Sequence, residues 1–440
     1  MRRFHRYAAL ALSVGLLAAC GKQSTNAEAP LAFAPADTPY AYGNLEPTPA
    51  AVTEQWSRHM HEAMPEFLSV YDQLLDRASK EGAPDSARIV KIARVLLDEL
   101  KAHDDWDKLR QIGLKPDALV AFYGIGFVPV LRMELGDAAA FRAEIAHIED
   151  KLGEKLPVAK AGTQEYWQLG NDKVACAIAI EGTHLVVTAL PANATDALKQ
   201  TLLGVTRPAQ SLAAAGTLQQ IATQYGYSPY AEGFVDFVRI TDRLSGAPQG
   251  SDAEFAKALG LPVSSNTDAT CKAEFLDIAH KFPRLVVGAN ELSAQRVSLS
   301  LQLEIETTLA QEIAAALGAA PGTGAPGDGV ADISVALPLL RLKDFWIKQA
   351  DKIAAKPFAC TQLKSLNDSY RDSKQKVDIT IPPPASDLLG FRFTLDKLEF
   401  TAAVRYEDFG GNVGSTTNPK FSARWQALDW LALRASAGST

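Results

Sequence analysis

Two spacings of apolar residues divide this chain into helical and extended stretches. In "AAVTEQWSRHMHEAMPEFLSVYDQLLDRAS", Trp56, Met60, Met64, Phe67, Leu68, Tyr71 and Leu74 recur three and four residues apart. That spacing predicts a long helix. A second helix is expected where Pro84, Asp85 and Ser86 supply start chemistry and Ile89, Ile92, Val95, Leu96 and Leu100 form the stripe. Before them, Tyr40 and Tyr42 sit between Pro35, Pro39, Pro47 and Pro49 and read as one strand between turns.

From Gly124 onward the period shortens to two, and one unit recurs: an alternating strand runs through a polar junction into a helix. "GFVPVLRMEL" leads to "GDAAAFRAEIAHIEDKLG", "THLVVTALP" to "ANATDALKQTLLG", "RVSLSLQLEIE" to "TTLAQEIAAALG", and "ADISVALPLL" to "RLKDFWIKQADKIAA". Strands with one polar face belong to antiparallel sheets. "KVACAIAIEGTHLVVTAL" carries a hairpin turn at Glu181-Gly182. The expected fold class is therefore α+β, with antiparallel sheets, helices packed on one face, strand–helix units that suggest duplication, and a three-strand meander at the C-terminus. The expected organisation is a signal peptide at 1–19, a tether at 20–33, one α+β domain at 34–204, a second at 205–398 with a Gly/Pro linker at 318–329, and a separate segment at 399–440.

Charge narrows the class of partner. The 440-residue chain has a formal net charge of −7. Residues 1–19 hold Arg2, Arg3 and Arg6 and no acidic residue, so their removal leaves 41 basic and 51 acidic residues, a net charge of −10. An acidic body without a basic run argues against nucleic acid.

The first residues give an address. "MRRFHRYAALALSVGLLAAC" has a basic start, an apolar run from Ala8 to Ala19, and then Cys20. That is the pattern of a signal peptide, too short to span a bilayer. Its ending, Leu17 to Cys20, resembles the lipobox of bacterial lipoproteins. The resemblance implies that Cys20 is acylated and anchors the chain, and Gly21 after it favours the outer membrane, with the body on the periplasmic face. "GKQSTNAEAP" then reads as a polar tether. The segments "PADTPYAYGNLEP", "GIGFVPVLRMELGDAAAFRAEIAHIE" and "CKAEFLDIAHKFPRLVVG" together resemble an uncharacterised family of proteobacterial lipoproteins, which implies fold and address but no activity.

Export places the remaining cysteines in an oxidising compartment. Cys176 shares a strand face with Val174, Ile178 and Ile180 and reads as a buried core residue. By elimination Cys271 and Cys360 form a disulfide, two free thiols being the alternative.

Motif chemistry is sparse. In His59-Met60-His61-Glu62 the histidines are two apart on a helix and point to different faces, and no second histidine completes a zinc-protease pattern. A solvated polar face is the better reading, and no metal or other cofactor is expected. His147, His184 and His280 stand singly. The glycines of Gly318 to Gly329 lack the Lys-Ser or Lys-Thr of a phosphate cradle. No Gly-x-Ser-x-Gly elbow occurs. Tyr225, Tyr227 and Tyr230 in "QYGYSPYAEGFVDF" are the candidate binding surface, with packing beneath their own loop as the alternative.

The last forty residues differ in kind. Phe400, Ala402, Val404 and Tyr406 alternate with Thr401, Ala403, Arg405 and Glu407. Phe421, Ala423 and Trp425 alternate with Lys420, Ser422, Arg424 and Gln426. Leu431, Leu433, Ala435 and Ala437 repeat the pattern. Apolar and charged residues on opposite faces suit a strand between lipid and a wet lumen. "VRYEDFGGNVGSTTNPKFSARWQALDWLALRASAGST" resembles mid-barrel strands of TonB-dependent receptors over roughly residues 398–440. Three strands cannot close a barrel, since the smallest use about eight. The tail is therefore expected to be a graft, whether by fusion, truncation or assembly artefact, and transport does not follow from it.

The expected function is a lipid-anchored periplasmic binding or interaction module for an unidentified ligand, with an envelope protein as partner and no enzymatic role. A component or fused fragment of a TonB-dependent uptake receptor is one alternative. A periplasmic enzyme whose active site assembles from distant residues is the other.

Overall fold

The computed structural model describes residues 27–81, 87–170, 173–260, 268–318, 331–383, 385–395, 398–408, 415–428 and 431–438. Cys20 and linker residues 319–330 lie outside the described residues, as does the side chain of His59. The chain divides into two compact units, Met1–Ile305 and Glu306–Thr440.

The first unit is built on one antiparallel sheet of ten strands: β1 (Tyr40–Gly43), β2 (Val120–Ile125), β3 (Val128–Glu134), β4 (Val158–Ala161), β5 (Gln164–Gly170), β6 (Val174–Glu181), β7 (His184–Pro191), β8 (Glu232–Asp236), β9 (Arg284–Leu292) and β10 (Val297–Leu303). Their order is β10-β9-β8-β1-β2-β3-β7-β6-β5-β4. The α+β class is thus established. The expected boundary at 204/205 falls inside this unit, because β1 pairs with β2 on one side and β8 on the other. A four-residue strand near the N-terminus therefore joins sequence from both sides of that boundary into one sheet.

The hairpin read from sequence forms as expected, with Glu181 opposite His184 and Gly182 at φ +59°. The helices are α1 (Ala50–Glu81), α2 (Ala87–Ala102), α3 (Trp106–Gln111), α4 (Ala138–Leu152), α5 (Asp196–Leu203), α6 (Leu212–Ala215), α7 (Thr217–Tyr225), α8 (Phe237–Leu244), α9 (Gly250–Leu259) and α10 (Ala269–Lys281). Asp137 caps α4 by accepting from the Ala139 and Ala140 amides, and Gly153 ends it in the left-handed conformation.

The main core lies on one face of the sheet. Ala121, Tyr123, Val130, Ala177, Ala179, Val186 and Phe234 point there, against Leu198, Leu202, Leu203, Leu212, Leu218 and Ile221 from α5 to α7. On the opposite face α4 covers a part only. Phe141, Ile145, Ile148 and Leu152 pack near Trp167, Leu169, Ile178 and Leu185, with Ile92 and Val95 of α2 behind them. The α1 stripe is mostly not core: Leu68 is buried, but Trp56, Tyr71 and Leu74 are exposed. Exposed ion pairs, Lys101 with Asp72 and Arg94 with Asp76, link α2 to α1.

In the second unit, α11 (Thr307–Leu317), α12 (Leu339–Ala355) and α13 (Lys364–Val377) accompany a β11 (Ala331–Ala336) and β12 (Gly390–Leu395) pair. Glu312 of α11 holds Lys348 and Lys352 of α12, which lowers its pKa to about 2. Trp346 stacks on Tyr370 at 5.5 Å. The tail forms the expected meander of β13 (Leu398–Asp408), β14 (Ser415–Leu428) and β15 (Leu431–Gly438), a separate three-stranded sheet.

Candidate functional site

Alternation gives each strand two faces, and α4 leaves much of one face open. Along β2 and β3, Phe122 stands opposite Leu131, both on the face away from the main core. Val187 stands opposite both Leu131 and Ile178, and Ala189 opposite Cys176. Phe122, Pro129, Leu131, Val174, Cys176, Val187 and Ala189 line a shallow depression of about 360 Å³. Phe122 is 41% exposed and Leu131 36%. Among the described residues no charged side chain lines it. A surface of this composition favours an apolar occupant, at roughly 25 cal/mol per Å² of apolar area removed from water.

The open face continues toward the far edge of the sheet. Tyr42 is 44% exposed, and on edge strand β10 the leucines Leu299, Leu301 and Leu303 are exposed, alternating with half-buried Ser298, Ser300 and Gln302. Sequence alternation shows that the two faces of β10 differ. It does not show which face is covered, so this surface was not visible beforehand.

Cys176 corrects the sequence reading. It was expected in the core with Val174, Ile178 and Ile180, but its side chain is exposed. The core side of β6 is the run Ala175, Ala177 and Ala179, each at most 3% exposed. Small alanines let the helices approach, whereas the larger residues of β6 lie on the other face. The thiol pKa is nevertheless pushed up by partial desolvation among its apolar neighbours. Cys271 and Cys360 are both disulfide-bonded.

On the covered face, Arg132 is fully buried. Its Nη1 donates to Glu181 at 2.9 Å, its Nη2 donates to the Leu203 carbonyl at 2.6 Å, and His184 Nδ1 lies 3.2 Å from Nη1. Burial, then the Arg132 charge, holds the His184 pKa below its usual value, so His184 accepts as a neutral ring. The guanidinium carbon lies 3.5 Å from the Phe33 ring centroid, and Arg207 lies 3.6 Å from the same ring. Gly204, at φ +85°, makes room for it, since a Cβ there would come within 1.9 Å of Arg132 Nη2. This group clamps Phe33 to the sheet.

The three predicted tyrosines separate. Tyr227 is buried in the main core, its ring over Gly288, where a Cβ would come within 2.1 Å. Tyr225 stacks on it at 5.7 Å and donates from its hydroxyl to Glu304. Tyr230 packs in a small cluster with Val52, Ala289 and Leu292. His61 meets Asp104 at 3.2 Å, while His147 and His184 each have charged neighbours that sequence distance concealed.

The family described as TonB dependent receptor-like, beta-barrel, matches residues 367–440. The match begins about thirty residues before the 398 read from sequence and takes in most of α13 as well as β12 to β15. No curated protein and no solved structure matches the chain. Among the described residues no helix is long and apolar enough to cross a membrane. The C-terminal segment is thus similar to part of an outer-membrane receptor barrel.

Proposed function

We propose that the first unit is an apolar-ligand binding module of the bacterial envelope, anchored through acylated Cys20 and using the open sheet face as its docking surface. The observation that supports this is the apolar depression bounded by Phe122, Leu131 and Val187 on the open face of the sheet. Its volume falls near the small end of ligand pockets, about 300–1,000 Å³, and its shallowness suits a flexible acyl chain lying along the strands. A fluorescent fatty acid should bind saturably, and Leu131→Glu should weaken it at least tenfold, about 1.4 kcal/mol. Equal binding by wild type and variant would remove this reading. For the anchor, Cys20→Ser should release the protein from the membrane fraction. A variant that still sediments with outer membrane, beside a wild type of unmodified mass, would contradict acylation.

The family match favours a second reading, in which residues 367–440 derive from a receptor of a TonB-dependent uptake system. The described meander has three strands, fewer than the roughly eight a closed barrel needs. Reading the intact locus through both sides of residue 400 tests it: continuous receptor sequence downstream would support it, and its absence would argue for a graft.

A further inference from the structure

We propose that α2 and α4 form a binding site for a zinc-class divalent ion, with Glu99, His103 and Glu144 as ligands and His147 as the fourth. Glu99 in the last turn of α2 and His103 just past its end stand four residues apart, and Glu144 and His147 three apart on α4, so each pair projects to one side. One ligand atom from each of Glu99, His103 and Glu144 lies within 4.8 Å of the others. His147 Nε2 lies 3.6 Å from Glu99 Oε1. An ion about 2.0–2.2 Å from each of these three would close the group slightly, and His147, outside the 4.8 Å group, would turn in as the fourth ligand.

Three observations separate this group from a solvated acidic patch. Glu99 is only 7% exposed, so its carboxylate sits among the helices. Glu144 Oε1 is buried without a hydrogen-bond partner. His103 Nδ1 lies 2.9 Å from the Glu99 carbonyl and donates to it, which fixes the ring beside the two carboxylates. A histidine that donates one ring nitrogen to a carbonyl is the arrangement that orients metal-ligating imidazoles. The mixed nitrogen and oxygen set suits zinc better than calcium or magnesium, which prefer oxygen.

Lys151 compensates the cluster when no ion is bound. Its Nζ lies 2.5 Å from Glu99 Oε1, and its long side chain is 42% exposed, so it can swing into water. A divalent ion then replaces one ammonium beside two carboxylates, and binding displaces Lys151. The neighbouring His61, Asp104 and Asp105 group is a weaker candidate, because His61 is 62% exposed.

The test is titration of the purified full-length mature protein with zinc chloride by calorimetry, and with cobalt(II) by visible absorption. The expected result is one tight site with a tetrahedral cobalt spectrum. His103→Ala and Glu144→Gln should each weaken binding at least tenfold, the lower end of what even outer-shell changes cost at metal sites. His147→Ala, at a half-exposed position, should weaken it without threatening the fold, and circular dichroism checks each variant. Lys151→Met should bind as tightly as wild type or tighter. No saturable binding, or binding unaffected by the three ligand variants, would overturn the proposal.

Discussion

Glu232 makes the stability of the first unit depend on pH in a direction opposite to ordinary acid denaturation. It stands on β8 between Gly43 of β1 and Gly288 of β9, fully buried, and among the described residues neither carboxylate oxygen has a hydrogen-bond partner. Burial, with a smaller contribution from nearby Glu46, raises its pKa from 4.5 to about 8. The folded protein therefore keeps a proton that the unfolded chain releases above pH 4.5. Its stabilising effect is complete below that pH and is lost as pH rises through about 8. At about 1.36 kcal/mol per pKa unit the full loss is about 5 kcal/mol. Glu232→Gln keeps a neutral side chain of similar shape and cannot ionise. The variant should match wild type near pH 4.5 and exceed it by several kcal/mol near pH 8.5. Urea denaturation of mature protein across that range, followed by far-UV circular dichroism, gives the two stability profiles. Parallel profiles would refute the reasoning, because they would mean that Glu232 is ionised or solvated in the folded state.

Other outcomes follow from individual contacts. Arg132→Ala leaves Glu181 without its buried partner and removes the clamp on Phe33, and should cost about 3–5 kcal/mol by denaturant unfolding. A loss below 1 kcal/mol would show that the cluster contributes little. Peptide mapping without reduction should recover Cys271 cross-linked to Cys360, and native maleimide labelling should mark Cys176; Cys176 in a bridge would contradict both. Deleting residues 399–440 should leave the melting temperature of the first unit unchanged, because β13 to β15 form a sheet of their own. A large loss of stability would show that the tail belongs to that fold.

Periodicity carried the elements well. The four strand–helix units appear as β3–α4, β7–α5, β10–α11 and β11–α12, and the tail strands fall where alternation put them. The pairing order did not follow, because no local signal says that β1 inserts between β2 and β8. Exposure was misread at Cys176 of β6, where the apolar residues face outward. On β10 and β6, and along the Trp56 and Tyr71 stripe of α1, apolar spacing marks a face without saying what covers it. The titratable groups were hidden for a different reason. Glu99 and Glu144 meet only because α2 packs behind α4, 45 residues away in sequence.

Ligand binding depends most directly on the open sheet face. Equilibrium titration of the mature protein with a fluorescent fatty acid, repeated for Leu131→Glu, reads that face alone. Saturable binding in wild type and at least a tenfold loss in the variant are expected. Absent binding, or equal binding by both proteins, would contradict the proposed function.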